Sequence, residues 1–517
     1  MGSFTKNLNL ELTGTTPEDM SMTFSEWRQK INGETGSAFE IIDEAIGDIR
    51  KNFDYANRVH RYGVLWDKEN AACTRLYDAV GMNAAAHKGS YNASLVNDFD
   101  NVYPWSERRL CNIDIATYKV LNENGEDVKG AIVAWEGEPD FSYTGANGAV
   151  MVYTPEYWMH AEEVDGGIEF VIADGVLPGY IHVPEIIGGR YMASSDGNGG
   201  VTSIAGVIPM VNTPMSTIHA NAEAVGMTLD DIWTYTAENM LMVVEFANMN
   251  SQSAVGDGVS SLYRENEADK PLTDIAGANY VIAPVALANI AVVNAILDIG
   301  TSKAGNQVGK RIVTSIETYA DNTNYKIIRF AGDPVDITTS QFLSIHGLSN
   351  VADEAIGSAS GYIGTNGKAN AYYRGRVAHG NIWRYVLGVY RETGTGHIWT
   401  ARSRKDAAKY DALNTSVHVD TGCVLPYDAS DKNLEGYVKT LHFLDNLPLA
   451  PFCASVGGNS SNPVGDYCWH PAKTAGNTIL VCGGGASYGA NDGRFFGFWD
   501  NSASYSNWYF GALPFLK

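Results

Sequence analysis

Two stretches of the chain repeat apolar residues at steps of three and four positions, the spacing of one helix face. Residues 37–53 begin with Ser37 and carry a glutamate three positions later, which is a capping box. Their apolar face consists of Phe39, Ile42, Ile46, Ile49 and Phe53. A helix of this length is marginal in isolation. With a short helix at 25–31, the pattern predicts an N-terminal helical module, 1–56, whose apolar face self-associates or packs on the next domain.

The clearest helical pattern follows Thr228, which we interpret as its cap, with Asp231 in the capping-box position. Its inner face is formed by Ile232, Tyr235, Asn239, Met242, Val243 and Phe246. A weaker pattern predicts a second helix at 216–225. These two helices are expected to pack beside short strands.

Between residues 62 and 163 the pattern changes to short apolar runs separated by turn signals such as Asn124-Gly125 and Asn147-Gly148. The polar segment Glu138-Pro139-Asp140 is interpreted as a turn of the same kind. We therefore predict a β-rich module, 57–163, with strands at 63–66, 114–118, 131–135 and 149–153.

Residues 164–517 continue with short strands around the helices and form the third predicted domain. Within it, 254–350 are predicted to be an insertion that contains two hairpin strands, 310–317 and 324–330. The apolar run 280–299 is interrupted by a proline and two asparagines and has an aspartate near its end. Such a run predicts buried core and not a membrane span.

Composition narrows the class of protein. With 517 residues, 45% hydrophobic and 18% charged, the chain is globular and not disordered. A net charge of −23 argues against a nucleic-acid or anionic-membrane partner, because binding phosphates requires a basic surface. Residues 1–14 lack the apolar core of a secretory signal, so we expect synthesis in the cytosol.

The most unusual stretch is 483–517. Nine aromatic residues occur in the 28 positions 484–511, and Lys, Glu, Gln, Met and His are absent from 474–516. Rigid Tyr and Trp interleaved with Ser, Gly and Asn are the chemistry of a recognition surface. The alternative is a set of buried strands. We predict that four residues of this stretch are core, namely Phe495, Trp499, Trp508 and Phe515, and that the tyrosines and polar residues between them are exposed.

Residues 483–517 resemble the terminal segment of C-type-lectin-fold proteins of phage tails, including the variable proteins of diversity-generating retroelements. Further segments resemble the same family in the same order. They are 244–252 (VEFANMNSQ), 374–375 (RG) with 380–386 (GNIWRYV), 456–461 (VGGNSS) and 466–469 (DYCW). The resemblance runs from about residue 62 onward and implies an α+β, C-type-lectin-like (formylglycine-generating-enzyme-like) domain. Trp383 is then expected in a core strand.

The resemblance implies a function. Members of this family are receptor-binding proteins of the virion tail, made in the bacterial host cytoplasm, and their variable face binds a host cell-surface receptor, protein or glycan. The segment at 23–34 resembles N-terminal segments of tail proteins, which implies contacts of 1–56 with other tail proteins and a homotrimer. The variable ligand-binding segment that the resemblance implies is 483–511, and its variable positions are Ala486, Ser487, Tyr488, Asn491, Asp492, Phe496, Phe498, Asp500, Asn501, Tyr505 and Asn507.

Candidate chemistry is sparse. The run Gly485-Ala486-Ser487-Tyr488-Gly489 has the form of a hydrolase elbow, but no histidine follows Ser487. No zinc-protease, phosphate-loop or dinucleotide motif occurs, so we expect no catalysis, metal or cofactor. We also expect no calcium at the terminal face. Two alternatives stay open: a structural tail or baseplate protein without a variable face, and an oxidase of the formylglycine-generating type. Cytosolic synthesis favours free buried thiols, and a lectin-like disulfide such as Cys453 to Cys482 stays open for the particle outside the cell.

Overall fold

The computed structural model describes residues 58–85, 97–304, 307–351, 370–407, 413–427, 434–472 and 475–516. They belong to the unit Arg61–Lys517, apart from the three residues before it. The predicted helical module, 1–56, lies outside the described residues. The predicted domain boundary between 163 and 164 falls near the turn of a hairpin and stays a prediction.

The helices are few and mostly short. In chain order they are α1 (Ile115–Asn124), α2 (Met215–Ala224), α3 (Ile232–Phe246), α4 (Ser251–Val255), α5 (Val285–Ala288) and α6 (Arg404–Ala407). Single 3-10 turns occur at Asp98–Asn101, Trp105–Glu107, Val128–Ala131 and Gly489–Asn491. Within the described ranges, no helix is both long enough and apolar enough to cross a bilayer.

The strands of the first half are β1 (Arg61–Trp66), β2 (Thr74–Tyr77), β3 (Arg109–Ile113), β4 (Ile132–Trp135), β5 (Ala149–Thr154), β6 (Tyr157–Val164), β7 (Gly167–Ala173), β8 (Ile181–Val183), β9 (Ile186–Gly189), β10 (Ser194–Ser195), β11 (Val201–Thr202), β12 (Met227–Leu229), β13 (Tyr263–Glu265), β14 (Ile275–Ala278), β15 (Tyr280–Pro284) and β16 (Ala295–Gly300). Those of the second half are β17 (Gln307–Thr318), β18 (Tyr325–Phe330), β19 (Val335–Ile337), β20 (Phe342–Leu348), β21 (Ala371–Tyr373), β22 (Arg376–His379), β23 (Trp383–Arg391), β24 (His397–Ala401), β25 (His418–Val424), β26 (Leu434–Leu441), β27 (Cys453–Val456), β28 (Tyr467–His470), β29 (Thr478–Cys482), β30 (Gly497–Asn501), β31 (Phe510–Gly511) and β32 (Pro514–Leu516).

This content corrects the predicted fold class. The described residues are mostly β-sheet, about 40% strand and 15% helix, and one sheet curls into a half-barrel. The prediction of an α+β, C-type-lectin-like domain is therefore wrong. The physical reason lies in the length of the elements: in the described ranges every strand except β17 has nine residues or fewer, and only α1, α2 and α3 have ten or more. Short apolar runs fill strands, whereas a helix needs ten or more residues to bury a face.

Four large sheets, accompanied by three two-stranded ones, organise the described part of the unit. A five-stranded sheet has the order β2-β1-β7-β6-β8, and a six-stranded sheet has the order β12-β32-β9-β5-β3-β4. The last strand of the described chain, β32, therefore lies inside a sheet, between strands that precede it by about 300 residues. A nine-stranded sheet with the order β25-β24-β23-β29-β30-β28-β26-β27 contains most of the terminal stretch, and its ninth strand, β31, pairs with β23. Trp383 at the start of β23 is fully buried, as predicted.

The predicted insertion contains a sheet of its own, in the order β13-β20-β16-β17-β18-β15. The predicted hairpin is confirmed, since β17 and β18 pair antiparallel with Ile316 opposite Ile328. The apolar run 280–299 supplies this sheet's core through buried residues such as Val281 and Leu297. The interpretation of the run as buried core is therefore confirmed.

Two local predictions are wrong, and a helix cap explains each error. The strand predicted at 114–118 is the start of helix α1, because the Asp114 carboxylate accepts from the backbone N–H groups of Ala116 and Thr117. The cap of α3 is Asp231, whose carboxylate accepts from the N–H of Thr234 at 2.7 Å. Thr228 belongs to β12 and pairs with Phe515. The turn at Glu138–Asp140 is confirmed.

Candidate functional site

The stretch 483–516 crosses from the end of β29 through a loop to β30 and then through a second loop to β31 and β32. The four residues predicted as core are all buried: Phe495, Trp499, Trp508 and Phe515. Trp499 points into the core from the middle of β30. Of its two neighbours, Phe498 is half-buried and Asp500 is exposed. Along this strand, side chains that anchor it in the core alternate with side chains that face the solvent.

Arg494 fixes the first loop to the core helix α3. Its side chain is fully buried, and Nε donates to Oδ1 of Asn239 at 2.6 Å. Its Nη2 lies 3.6 Å from a carboxylate oxygen of Glu238. The backbone N–H of Arg494 donates to the Ser251 hydroxyl at 2.9 Å. A buried guanidinium with these partners leaves the loop little freedom, since moving it would strand a charge in the core.

Two buried aspartates hold the backbone of the same loop. The Asp466 carboxylate accepts from the N–H of Phe495 at 2.7 Å, and Asp492 accepts from the N–H of Gly485 at 2.9 Å. Burial raises the pKa of both carboxyl groups well above the ordinary range, and the N–H donors only partly oppose this. A β-carbon at Gly484 would lie 1.6 Å from Oδ1 of Asp492, so this close approach requires glycine.

Four of the residues predicted to bind a ligand are buried and not on the exposed face: Ala486, Asp492, Phe496 and Asn501. Phe496 packs edge-on against the Trp383 ring, with centroids 4.6 Å apart. Asp492 is polar but is turned inward by its hydrogen bond to the backbone of Gly485. These residues support the surface and do not form it.

The other seven predicted residues reach solvent. Ser487, Asp500 and Tyr505 are exposed, and the half-buried ones are Tyr488, Asn491, Phe498 and Asn507. Tyr505 has 40% of its area exposed. Its hydroxyl accepts from the amide of Asn507 at 2.9 Å, and its backbone carbonyl accepts from the hydroxyl of Tyr385 at 2.8 Å.

A common layer of buried rings lies beneath these residues. Tyr488 and Phe498 each pack against Trp383, with centroids 5.3 Å and 5.2 Å from it. Tyr505 packs against Phe510 at 5.5 Å, and Phe510 lies 6.5 Å from Trp383. Residues from both loops and from β30 therefore meet on one support.

Sequence reasoning missed four aromatic residues of the same surface. Trp469 stacks on Phe498 with centroids 4.8 Å apart, and Tyr467 packs against Phe496 at 5.7 Å and Tyr437 at 5.2 Å. The fourth missed residue is Tyr263, which stacks on the Trp508 ring with centroids 5.6 Å apart. Tyr509, which the sequence predicts to be exposed, packs edge-on against the same ring at 4.8 Å. Along β28, Tyr467 and Trp469 are half-buried and alternate with the buried Cys468 and His470, an arrangement that the sequence alone does not show. No local signal pointed to Tyr263, because it comes from the sheet of the insertion.

Together these residues form what we name the aromatic surface: Tyr263, Tyr437, Tyr467, Trp469, Tyr488, Phe498, Tyr505 and Tyr509. Tyr505 is exposed and the others are half-buried. Burial raises the pKa of the Tyr263, Tyr488 and Tyr509 hydroxyls, so they are neutral at physiological pH and can both donate and accept hydrogen bonds. Flat rings with neutral hydroxyls suit sugar rings and protein surfaces alike.

The described residues offer little to reaction chemistry at this surface. Ser487 lies in a turn that leads into the 3-10 turn Gly489–Asn491, not in a strand-to-helix elbow. All six cysteines are free thiols, and Cys453 and Cys482 belong to different core clusters, so the suggested Cys453 to Cys482 pairing is absent. Across the described part of the chain, no group of three His, Cys, Asp or Glu side chains is placed to hold a metal ion.

The site is thus a half-exposed aromatic surface on a loop pair that is anchored by Arg494, Asp466 and Asp492. Along the stretch 483–516, buried residues that support the surface alternate with residues that reach solvent. Comparison with protein-family models and with the curated proteins finds no match to this chain.

Proposed function

We propose that this protein is a receptor-binding protein of a phage tail, which attaches the virion to a host cell through the aromatic surface. The observation that carries the proposal is an exposed and half-exposed set of aromatic side chains on loops whose backbone is fixed from below. The resemblance of 483–517 to the variable segment of tail proteins supplies the biological setting. The receptor is a protein or a glycan of the bacterial surface.

The physical case rests on low entropy loss. Tyr and Trp side chains have few rotatable bonds, so they lose little freedom when a ligand covers them. A rigid scaffold that presents loops is the usual arrangement for recognition. Trp383 restrains Tyr488, and Phe510 restrains Tyr505. These two side chains therefore lose less conformational entropy when a ligand binds.

Tyr505→Ala is expected to weaken attachment about tenfold or more, since truncated aromatic hot spots cost on the order of 2 kcal/mol. The melting temperature should stay within about 2 °C of the parent, because exposed substitutions change stability little. Binding is measured with fluorescently labelled protein on a panel of bacterial strains. Tyr77→Ala is the matched control, because Tyr77 has 39% of its area exposed and lies on another sheet.

The competing function is a structural tail or baseplate protein whose terminal aromatics only support the fold. Exposure of Tyr505, Ser487 and Asp500 favours recognition over that alternative. If no strain in the panel retains the labelled parent protein, or if Tyr505→Ala and Tyr77→Ala behave alike on every strain, the structural function is the better account.

We further propose a homotrimer that forms through the apolar face predicted in 1–56 and presents three aromatic surfaces. Linking weak sites raises avidity by about 10²–10⁴ without new contacts. Light scattering after size exclusion should give three times the chain mass. Changing Ile42 and Ile49 together to Asp should give the mass of one chain. Val176→Asp, at an exposed position, should leave the measured mass at three times that of one chain. A single-chain mass for the parent protein would rule the trimer out.

A further inference from the structure

Two buried cysteines meet beneath the loop that supports the candidate site. The Sγ atoms of Cys453 and Cys468 lie 2.9 Å apart, and both side chains are buried. Both cysteines lie on strands that pair with β26: Cys453 of β27 stands opposite Leu441, and Cys468 of β28 stands opposite Gly436. We propose that Cys453 and Cys468 form a disulfide bond under oxidising conditions, and that this bond restrains the loop that supports the aromatic surface.

The surroundings of the two thiols favour a disulfide over a metal site. Both belong to an apolar cluster with Val438, Leu449 and Val464. Among the described residues, no third His, Cys, Asp or Glu side chain joins them as a metal ligand. A disulfide also removes two weakly satisfied S–H donors from this apolar environment.

The oxidant is a low-molecular-weight disulfide such as oxidised glutathione. A cysteine thiolate of the protein attacks one sulfur of the oxidant, forms a mixed disulfide and releases one reduced glutathione. The second thiolate then attacks the protein sulfur of the mixed disulfide and releases the other reduced glutathione. The two protein thiols lose two protons and two electrons, which the oxidant gains. Contact with Cys453 and then burial raise the pKa of the Cys468 thiol, so we expect this reaction to take hours.

The proposed bond would close the loop between residues 453 and 468, which contacts three other parts of the fold. The Asn462 side chain accepts from the N–H of Ala71 at 2.9 Å, and the Ser460 carbonyl accepts from the Asn250 amide at 3.0 Å. Asp466, in the same loop, accepts from the N–H of Phe495. Closing this loop restrains Asp466 and, through it, the backbone that carries the aromatic surface.

The test uses the full chain, incubated with oxidised glutathione, denatured, alkylated and digested for peptide mass mapping. We expect one linked pair of peptides, containing Cys453 and Cys468, two hydrogens lighter than the reduced pair, with the other four cysteines alkylated. The oxidised protein should melt about 3–6 °C higher than the reduced protein, because a cross-link restricts the unfolded chain.

Variants separate this pair from general oxidation. Cys453→Ser should abolish the rise in melting temperature, whereas Cys423→Ser should keep it, because Cys423 is buried in a different cluster. Alkylation of both Cys453 and Cys468 after prolonged oxidation, or a link from either one to another cysteine, would overturn the proposal. If Cys453→Ser does not fold, the peptide map of the parent protein decides the question alone.

Discussion

Replacement of Trp383 by alanine is expected to lower the free energy of unfolding by about 3–5 kcal/mol, the range for removing a large aromatic side chain from a packed core. Trp383 has no exposed area, and its ring contacts Phe496 as well as Tyr488 and Phe498 of the candidate site. The cavity would therefore open directly beneath the aromatic surface. Urea unfolding at constant pH measures the change.

Trp158→Ala is the control for this prediction, because Trp158 is half-buried on the five-stranded sheet, away from the terminal stretch. Its loss should be clearly smaller. The Trp383 variant should also bind bacterial cells more weakly at temperatures where it is still folded, since Tyr488 and Phe498 lose their support. A cost below about 1 kcal/mol would mean that the ring layer repacks, and the role of Trp383 as the common support would be wrong.

Arg376→Met is expected to cost about 3–5 kcal/mol near neutral pH, because it leaves buried carboxylates without their main partner. Arg376 donates to Asp230 at 2.6 Å and lies 2.9 Å from Glu238, and all three side chains are buried. Arg329→Met is the matched control, because Arg329 pairs with Glu317 at 2.7 Å at the surface. Its loss should be below about 1 kcal/mol.

The loss of stability caused by Arg376→Met should become smaller as the pH falls. Burial alone would raise the pKa of Glu238, but Arg376, Arg108 and Arg494 outweigh burial and hold the pKa below its ordinary value. A lowered acid pKa contributes stability above the unfolded pKa of about 4.3, and this stability is lost as pH falls through the folded value. The difference between parent and variant should be full near neutral pH and shrink below about pH 4. A difference that grows in acid would show that Glu238 is not ionised.

Local sequence patterns predicted the helix α3 and the hairpin of β17 and β18, because their periodicity needs no knowledge of distant partners. They failed at Thr228, which is a strand residue only because Phe515, almost 300 positions later, pairs with it. The predicted fold class failed for a related reason. A strand of four residues is stabilised by its neighbours in the sheet, and those neighbours are not visible in a local window.

The sequence predicted the parts of the candidate site that depend on the alternation of side chains along a single strand. Along β30, alternation places Trp499 inside and Phe498 and Asp500 outside. The site was not predictable where sheet order brings strands together, as when β28 places Trp469 beside Phe498. Polarity alone misplaced Asp492, because the backbone of a tight loop needed a buried acceptor.

The interior position of β32 has a consequence for how the protein is made. The sheet partners of Pro514–Leu516 are Ile186–Gly189 and Met227–Leu229, which leave the ribosome roughly 300 residues earlier. At about 5–20 residues per second, the delay is on the order of 15–60 s. During translation these two strands have open edges that can pair with other nascent chains. A product that terminates before residue 514 cannot close this sheet, so we expect cellular proteases to remove it.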